Sequence, residues 1–167
     1  LRHKMQELAP RGVRGGAVVI LDVRNSAIRA MVGSPDFQAG ASPGQVNGAT
    51  SPRSPGSALK PFIYAMALDE GLCTPGTAVA DVPADFAGYR PKNFSLEFEG
   101  PVTVRRALVK SLNIPAIRLA RDVGLNRVVD LLRSAGLSTL DQPAEHYGLS
   151  LAIGSCEVTL LDLANAY

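Results

Sequence analysis

The sequence has only two cysteines, two histidines and no tryptophan among its 167 residues. So few cysteines exclude a disulfide-rich scaffold, and together with two histidines they exclude the usual zinc sites built on Cys and His. The longest uninterrupted apolar run, residues 62–68, has seven residues, whereas a membrane-spanning helix needs ~20. No signal-peptide pattern is present either.

The charge balance excludes a further class of partner. Seventeen basic and 15 acidic residues give a net charge of +2, whereas a nucleic-acid surface needs clustered excess Lys and Arg. A hydrophobic content of 46% suits a buried core, in one domain or a sizeable piece of one.

No phosphate-binding glycine motif occurs. His3 lies in a basic segment and His146 follows a Pro-containing loop, so we expect a catalytic base other than histidine.

The N-terminal third is predicted to hold one hairpin between irregular segments. Residues 1–14 are basic and broken by Pro10 and Gly12, which indicates a connection from an upstream domain. Residues 16–22 and 27–33 are β-rich apolar runs with turn residues between them, which predicts an antiparallel hairpin. The continuous apolar character of the first run predicts a strand covered on both faces. Residues 34–55 have the composition of a loop.

The remainder is predicted to be mainly helical. Residues 57–70 form a helix that closes at Gly71, and because residues 62–68 are apolar on every side, we expect it to run through the core. Residues 72–101 are interpreted as mostly irregular. Further helices are predicted at 102–110, at 116–123 after Pro115, and at 126–133 with Asn126 as cap. Thr159 and Asp162 are spaced as a capping box for a last helix.

The sharpest chemical signal is the segment Ser57-Ala58-Leu59-Lys60. A serine and a lysine three apart on a helix share one face, and the helix N-terminus favours a developing oxyanion. The adjoining apolar stretch desolvates Lys60 and lowers its pKa, so that it can accept the serine proton. The alternative is an N-cap serine beside a surface lysine. Ser54 is the rival nucleophile, but no lysine stands three residues after it.

The context of this pair resembles the penicillin-binding proteins, serine acyltransferases that cross-link peptidoglycan. Their first motif, S-x-x-K, often stands in the frame P-G-S-x-x-K-P-F, and residues 55–62 read PGSALKPF. Their second motif, S-x-N, is matched by Ser111-Leu112-Asn113, 54 positions after Ser57. The phrase at residues 154–159 is similar to the family's approach to its third motif. Residues 81–102 resemble the class A, bifunctional subgroup of the 1C type.

The resemblance covers residues 15–167 and implies an α+β fold of the penicillin-binding protein and β-lactamase type, here an antiparallel hairpin plus a helical subdomain. It implies that Ser57 attacks the penultimate D-alanine carbonyl of a stem peptide, or a β-lactam, and forms an acyl-enzyme. Lys60 would take the serine proton, and Ser111 would relay a proton to the leaving amine, with Lys60 as its hydrogen-bond neighbour. Asn113, whose side chain we expect to be free to point into the same cleft, would hold the substrate amide. No cofactor or metal is implied. The implied location is the periplasmic side of the bacterial inner membrane, anchored by a segment outside residues 1–167.

One departure from the family pattern is serious: no Lys-Thr-Gly or Lys-Ser-Gly third motif occurs. We therefore interpret residues 1–14 as a linker from an upstream domain, and residues 15–167 as the N-terminal part of a transpeptidase domain without its third-motif strand. One oxyanion donor would be the backbone N–H of Ser57, and the other would belong to that strand. We expect these 167 residues alone to be inactive, and the open sheet edge to be covered by another chain, a second copy or a further segment.

Other readings stay open at this stage. A β-lactamase-like hydrolase or β-lactam sensor shares S-x-x-K, and a non-catalytic scaffold in a cell-wall complex could keep the fold. Cys73 and Cys156 can pair in an oxidising compartment, or remain isolated thiols. A last set of residues is assigned either to a substrate groove or to a packing cluster: Tyr89, Asn93 and Phe94. Lys110 is interpreted as a solvated charge at a helix end.

Overall fold

The computed structural model describes residues 1–38 and 43–167, and the chain divides into two compact units. The first consists of Leu1–Ser54, Arg133–Leu140 and Glu157–Tyr167, and the second of Pro55–Leu132 and Asp141–Cys156. Helices and two small antiparallel sheets are both present. The α+β class predicted from the sequence is confirmed.

The first unit is built around the predicted hairpin. Helix α1 (Arg2–Leu8) precedes strand β1 (Val18–Asp22), which pairs antiparallel with β2 (Ala27–Val32). The Asp22 carboxylate at the turn accepts hydrogen bonds from the side chains of Arg24 and Arg29, and these two cations hold its pKa well below the usual range. The turn is therefore fixed by charge as well as by backbone geometry.

The last helix also belongs to the first unit. Helix α7 (Leu160–Ala166) lies against β1. The Thr159 hydroxyl oxygen accepts the backbone N–H of Asp162 at 2.9 Å, so the predicted cap by Thr159 is confirmed. The Asp162 carboxylate, which would complete a capping box by accepting the Thr159 N–H, accepts a hydrogen bond from Ser138 Oγ at 2.7 Å.

The prediction that the first strand is covered on both faces is wrong within the described residues. Val18 is 37% exposed and Ile20 52% exposed, and β1 pairs with β2 alone. A continuous apolar run reports hydrophobicity without reporting which neighbours are available to bury it. Within the predicted loop at 34–55, a 3-10 turn forms at Pro43–Gln45, and residues 39–42 lie outside the described residues.

The second unit contains the elements that follow, apart from Arg133 and Ser134, which end one of its helices and are counted in the first unit. It opens with a 3-10 turn (Gly56–Leu59) and helix α2 (Lys60–Asp69). The elements that follow in chain order are β3 (Ala78–Asp81), β4 (Gly100–Thr103), α3 (Val104–Val109), α4 (Asn113–Val123), α5 (Leu125–Ser134), α6 (Ala144–Tyr147) and a 3-10 turn at Leu149–Ile153.

Helix α4 is the core of this unit. It packs against α2, α3, β3 and the turn at Leu149–Ile153, and Ile114, Ala116 and Ile117 are fully buried. Helix α2 buries Ile63, Tyr64 and Ala67, but Ala65 is exposed. The prediction that α2 runs through the core therefore holds for one face and is wrong for the face that carries Ala65. An unbroken apolar run has no periodicity from which the buried face can be identified.

Several predicted boundaries are corrected. Residues 72–101 include strand β3 and the start of β4, which pair antiparallel. Val102 lies in β4 and not in the following helix, since that helix begins only after the Thr103 hydroxyl caps it. Helix α4 begins at Asn113 with Pro115 inside its first turn, and Asn126 lies within α5. Gly71 follows α2 with φ 68°, as predicted for a helix terminator.

Candidate active site

The first motif lies at the start of α2. Ser57 is exposed within the 3-10 turn, and the backbone N–H of Lys60 donates to its carbonyl oxygen. Lys60 is the first residue of α2, and Pro61 follows it, where the missing N–H costs no helical hydrogen bond. Ser57 was predicted on the α-helix itself. It instead occupies the tighter turn that leads into the helix.

Lys60 is buried, with only 1% of its surface exposed. Its Nζ donates to the Ser111 carbonyl oxygen at 2.5 Å, to Ser111 Oγ at 3.1 Å and to Asn113 Oδ1 at 2.7 Å. Burial lowers the pKa of Lys60 from 10.5 to about 8, because desolvation penalises the ammonium form. The amine is thus held in place by three acceptors and has a pKa suited to accepting a proton near neutral pH.

The second motif connects α3 and α4. Ser111 has a left-handed backbone with φ 53°, and Asn113 opens α4. The predicted hydrogen bond between Ser111 Oγ and Lys60 is confirmed. The Asn113 side chain was expected to be free, but both its ends are engaged, since Oδ1 accepts from Lys60 and Nδ2 donates to the Lys92 carbonyl at 2.7 Å.

These motifs meet in one cleft of about 600 Å³. Its lining residues are Gly56, Ser57, Lys92, Phe94, Lys110, Ser111, Asn113 and Ile153. Of the three residues assigned to either a groove or a packing cluster, Phe94 lines the cleft with its side chain fully exposed. Asn93 is buried, and Tyr89 pairs with Phe86 through backbone hydrogen bonds. The three residues therefore form neither a shared substrate groove nor a shared packing cluster.

Two lysines, Lys92 and Lys110, line the cleft. Lys110 Nζ donates to Glu99 at 2.5 Å, and Arg106 donates to the same carboxylate at 2.8 Å. These cations lower the pKa of Glu99. Lys110 remains 45% exposed, in agreement with the predicted solvated charge. Among residues 1–38 and 43–167, no three His, Cys, Asp or Glu side chains are grouped to hold a metal ion.

A buried polar pair behind the second motif was not found from the sequence. Asp81 is 0% exposed and Asn93 is 4% exposed. Asn93 Nδ2 donates to both oxygens of Asp81 at 2.9 Å, and Asn93 Oδ1 accepts the Asn113 backbone N–H at 2.7 Å. Asn93 lies in a segment without regular structure, so no periodicity marks it as buried. The signal that could have found the pair is an Asp and an Asn on either side of a Pro-rich loop.

The weaker candidates lie outside the cleft. Cys73 and Cys156 are not bonded to each other, and burial raises the pKa of the Cys73 thiol. His146 makes an edge-on ring contact with Tyr147. In the part of the chain that the structure describes, no helix is both long and apolar enough to cross a membrane.

Comparison with known proteins gives consistent matches. Residues 16–167 match the family described as the penicillin binding protein transpeptidase domain. The chain is 40% identical to penicillin-binding protein 1C of Escherichia coli (strain K12), an alignment that covers 100% of this chain and 22% of the relative. The chain thus spans about a fifth of the length of that curated relative.

Solved structures give the same result for the fold. Penicillin-binding protein 1A from Haemophilus influenzae superposes with a TM-score of 0.77 at 33% identity, covering 92% of this chain and 23% of that one. The PonA1 protein from Mycobacterium tuberculosis in complex with penicillin V superposes with a TM-score of 0.77 at 24% identity, covering 99% of this chain and 46% of that one. The second likeness concerns the fold alone.

Proposed function

Because this chain belongs to the penicillin-binding protein transpeptidase family, we propose that it carries the acylation site of a serine D,D-transpeptidase that cross-links peptidoglycan. The observation that carries this proposal is the buried Lys60, whose Nζ donates to Ser111 Oγ and Asn113 Oδ1 directly behind the cleft that Ser57 lines. Burying an amine at a cleft lowers the stability of the fold through desolvation of the charge. A role as general base accounts for a lysine in this position.

In the acylation step, Ser57 Oγ attacks the carbonyl carbon of the penultimate D-alanine, and Lys60 Nζ accepts the hydroxyl proton. The neutral amine is the competent form, and a pKa of about 8 leaves a useful fraction of it at neutral pH. The C–N bond of the terminal D-alanine breaks as the Oγ–C bond of the acyl-enzyme forms. A β-lactam reacts in the same way through its ring amide.

The second motif assists departure of the amine. Ser111 Oγ lies 3.1 Å from Lys60 Nζ, so a proton on Lys60 can pass through the Ser111 hydroxyl to the leaving nitrogen. Asn113 contributes in two ways in this proposal. Its Oδ1 orients Lys60, and as a residue of the cleft lining it holds the substrate backbone through the Nδ2 hydrogen that the Lys92 carbonyl does not accept. Transfer of the acyl group to an amine of a second stem peptide then completes the cross-link.

The developing oxyanion needs preorganised donors. The backbone N–H of Ser57 is one donor in this proposal, and the second comes from the strand that bears the family's third motif. We also propose that residues 1–14 connect to an upstream domain and that the site operates on the periplasmic side of the inner membrane. The partners there are peptidoglycan stem peptides and β-lactam antibiotics.

The test is to treat the full-length protein with a labelled penicillin and to locate the adduct by peptide mass analysis. The adduct is expected on the peptide that contains Ser57, and Ser57→Ala should abolish it. Ser54→Ala is the matched control, because Ser54 is also exposed and close in sequence, and it should acylate normally. An adduct on Ser54 or Ser111 would overturn the assignment of the nucleophile.

The same experiment separates the alternative functions. Rapid loss of the adduct would identify a β-lactamase-like hydrolase, whereas a transpeptidase retains it for a long time. No adduct at all in a folded full-length protein would identify a non-catalytic scaffold and would refute the proposed function.

A further inference from the structure

We propose that Asn93, held by the buried carboxylate of Asp81, is a positioning residue that orients Asn113 and thereby Lys60 for proton transfer. This inference rests on the proposed function. It concerns two residues outside the three sequence motifs, and neither of them lines the cleft.

The surroundings of Asn93 allow only one orientation of its amide. Its Nδ2 has three acceptors at 2.9 Å, namely the two oxygens of Asp81 and the carbonyl oxygen of Glu97. Its Oδ1 faces a donor, the backbone N–H of Asn113 at 2.7 Å. A flipped amide would place the oxygen against a carboxylate and the NH₂ against an N–H, so both contacts would become repulsive.

The orientation of Asn113 is fixed in the same manner. Its backbone N–H donates to Asn93 Oδ1, and its side-chain Nδ2 donates to the carbonyl of Lys92. Two adjacent residues of one loop therefore anchor the first residue of α4. The remaining atom, Asn113 Oδ1, can then only face Lys60 Nζ, which lies 2.7 Å away.

Burial makes this arrangement stiff. The Asp81 carboxylate is fully buried, and it also accepts the backbone N–H of Glu99 at 2.9 Å. A buried carboxylate that loses its donors pays a large desolvation penalty, so Asn93 cannot leave it easily. The position of Asn113 is therefore determined from the interior of the unit, away from the solvent that reaches the cleft.

Release of Asn113 should affect the acylation step, in which Lys60 accepts the serine proton. Lys60 is held by the backbone and side chain of Ser111 on one side and by Asn113 on the other. If Asn113 is released, Lys60 keeps its acceptors at Ser111 but loses the one that limits its rotation. A displacement of about 1 Å in a catalytic group can lower a rate by ~10²-fold. Binding of the ligand, which depends on the cleft walls, should change little.

The experiment measures penicillin acylation of the full-length protein under saturating and subsaturating conditions, which separates the dissociation constant from the acylation rate constant. The variants are Asn93→Leu, Asn93→Asp and the double variant Asp81→Asn/Asn93→Asp. Asp85→Asn is the matched control, because Asp85 clamps Gly88 and Arg90 on the same segment without contacting Asn113. The melting temperature of each variant is measured, and kinetics are recorded well below it.

For Asn93→Leu and Asn93→Asp, the acylation rate constant should fall about 10- to 100-fold. Their dissociation constants for penicillin should stay within threefold of the wild-type value. The double variant should recover at least fivefold over Asn93→Asp, because the amide then at position 81 can donate to the carboxylate at position 93 and its oxygen can still accept the Glu99 N–H. The Glu97 carbonyl, which would then face a carboxylate, keeps that recovery incomplete. Asp85→Asn should acylate within twofold of the unchanged protein.

The inference is overturned if both Asn93 variants acylate within twofold of the unchanged protein, or if the double variant lowers the rate further. Should Asn93→Leu fail to fold, the comparison of Asn93→Asp with the double variant decides the question. Failure of the proposed function looks different, because the unchanged protein would then form no adduct on Ser57.

Discussion

Gly154 and Gly56 approach each other so closely that a Cβ on Gly154 would lie 2.3 Å from the backbone nitrogen of Gly56. Real Cβ atoms do not come so near to backbone, so only glycine fits at position 154. Both residues have left-handed backbones, with φ of 87° and 54°. Gly56 directly precedes Ser57, so this contact sets the location of the turn that carries the serine.

We therefore expect Gly154→Ala to displace the turn at Gly56–Leu59. The free energy of unfolding should fall by about 2–4 kcal/mol, from backbone strain and steric displacement together, and penicillin acylation should slow at least tenfold. The matched control is Gly71→Ala, because Gly71 also has a positive φ of 68° but no atom within 4 Å of its Cβ position. It should lose only about 1–2 kcal/mol and acylate normally. Denaturant unfolding and acylation kinetics test both, and equal losses in the two variants would contradict the steric account.

Replacing Lys60 with methionine should separate catalysis from folding. Lys60→Met removes the base, so acylation should drop by roughly 10³-fold or more. The fold should remain, because the apolar stem packs similarly and a buried charge is removed together with its donor bonds. We expect the free energy of unfolding to change by no more than about 2 kcal/mol. Lys4→Met, at a lysine whose side chain is 68% exposed, is the control and should acylate at the normal rate. Normal acylation by Lys60→Met would contradict the assignment of the base.

The pH dependence of acylation should report the titration of Lys60. Its pKa is lowered to about 8 by burial, and the neutral amine is the reactive form. The rate constant should therefore rise with pH and level off above about 8, approximately tenfold per unit on the acid side. Acylation of the full-length protein is measured from pH 6 to 9.5, with Lys4→Met as a control that keeps the same midpoint. A rate that is flat over this range would count against Lys60 as the base.

Stability should depend on pH through the same group. The pKa of Lys60 is lower in the folded protein, about 8, than its ordinary value of 10.5, so the unfolded chain binds more protons between these values. The free energy of unfolding therefore rises with pH in that window. Relative to Lys60→Met, the unchanged protein should gain about 1–2 kcal/mol between pH 7.5 and 9.5. Denaturant titrations at the two pH values measure this double difference, and a difference of zero or of opposite sign would refute it.

The hairpin leads to a prediction for residues 1–167 expressed alone. Five of its apolar side chains are between 37 and 52% exposed, namely Val18, Ile20, Ile28, Met31 and Val32. Exposed apolar strands with a free edge promote self-association, and the loss of one oxyanion donor slows reaction by ~10²–10³-fold. We expect this polypeptide to associate in light-scattering measurements and to form no penicillin adduct at a useful rate. Prompt stoichiometric acylation of Ser57 would show that this reasoning is wrong.

Local signals in the sequence were sufficient for part of this structure. The hairpin, the Thr159 cap and the helix end at Gly71 each depend on a few neighbouring residues, and all were predicted. The proximity of Ser111 to Lys60 was also predicted, although it depends on a motif resemblance and on no local rule. The roles of Ser57, Lys60, Ser111 and Asn113 remain predictions that acylation experiments must test.

The failures have a common physical cause. The exposure of β1 and of one side of α2 depends on which neighbours are present, and hydrophobicity alone does not reveal that. The pairing of β3 with β4 joins segments about 20 residues apart across a Pro-rich loop. No hydrophobic periodicity within either segment predicts this pairing. The Asp81–Asn93 pair has only a weak signal in the sequence, an Asp and an Asn on either side of a Pro-rich loop, because a polar residue in a loop is normally expected to face solvent.

The left-handed backbone of Ser111 has a consequence for how this protein tolerates engineering. A serine with φ 53° carries a conformational strain of about 1–2 kcal/mol that glycine would avoid. Glycine at this position would lose roughly half of that gain to unfolded-state entropy, and it would also remove the hydrogen bond between Lys60 Nζ and Ser111 Oγ. The backbone conformation at residue 111 thus favours glycine, whereas the contact with Lys60 requires the hydroxyl. Backbone strain and chemistry compete for this single residue, and the native sequence keeps the hydroxyl.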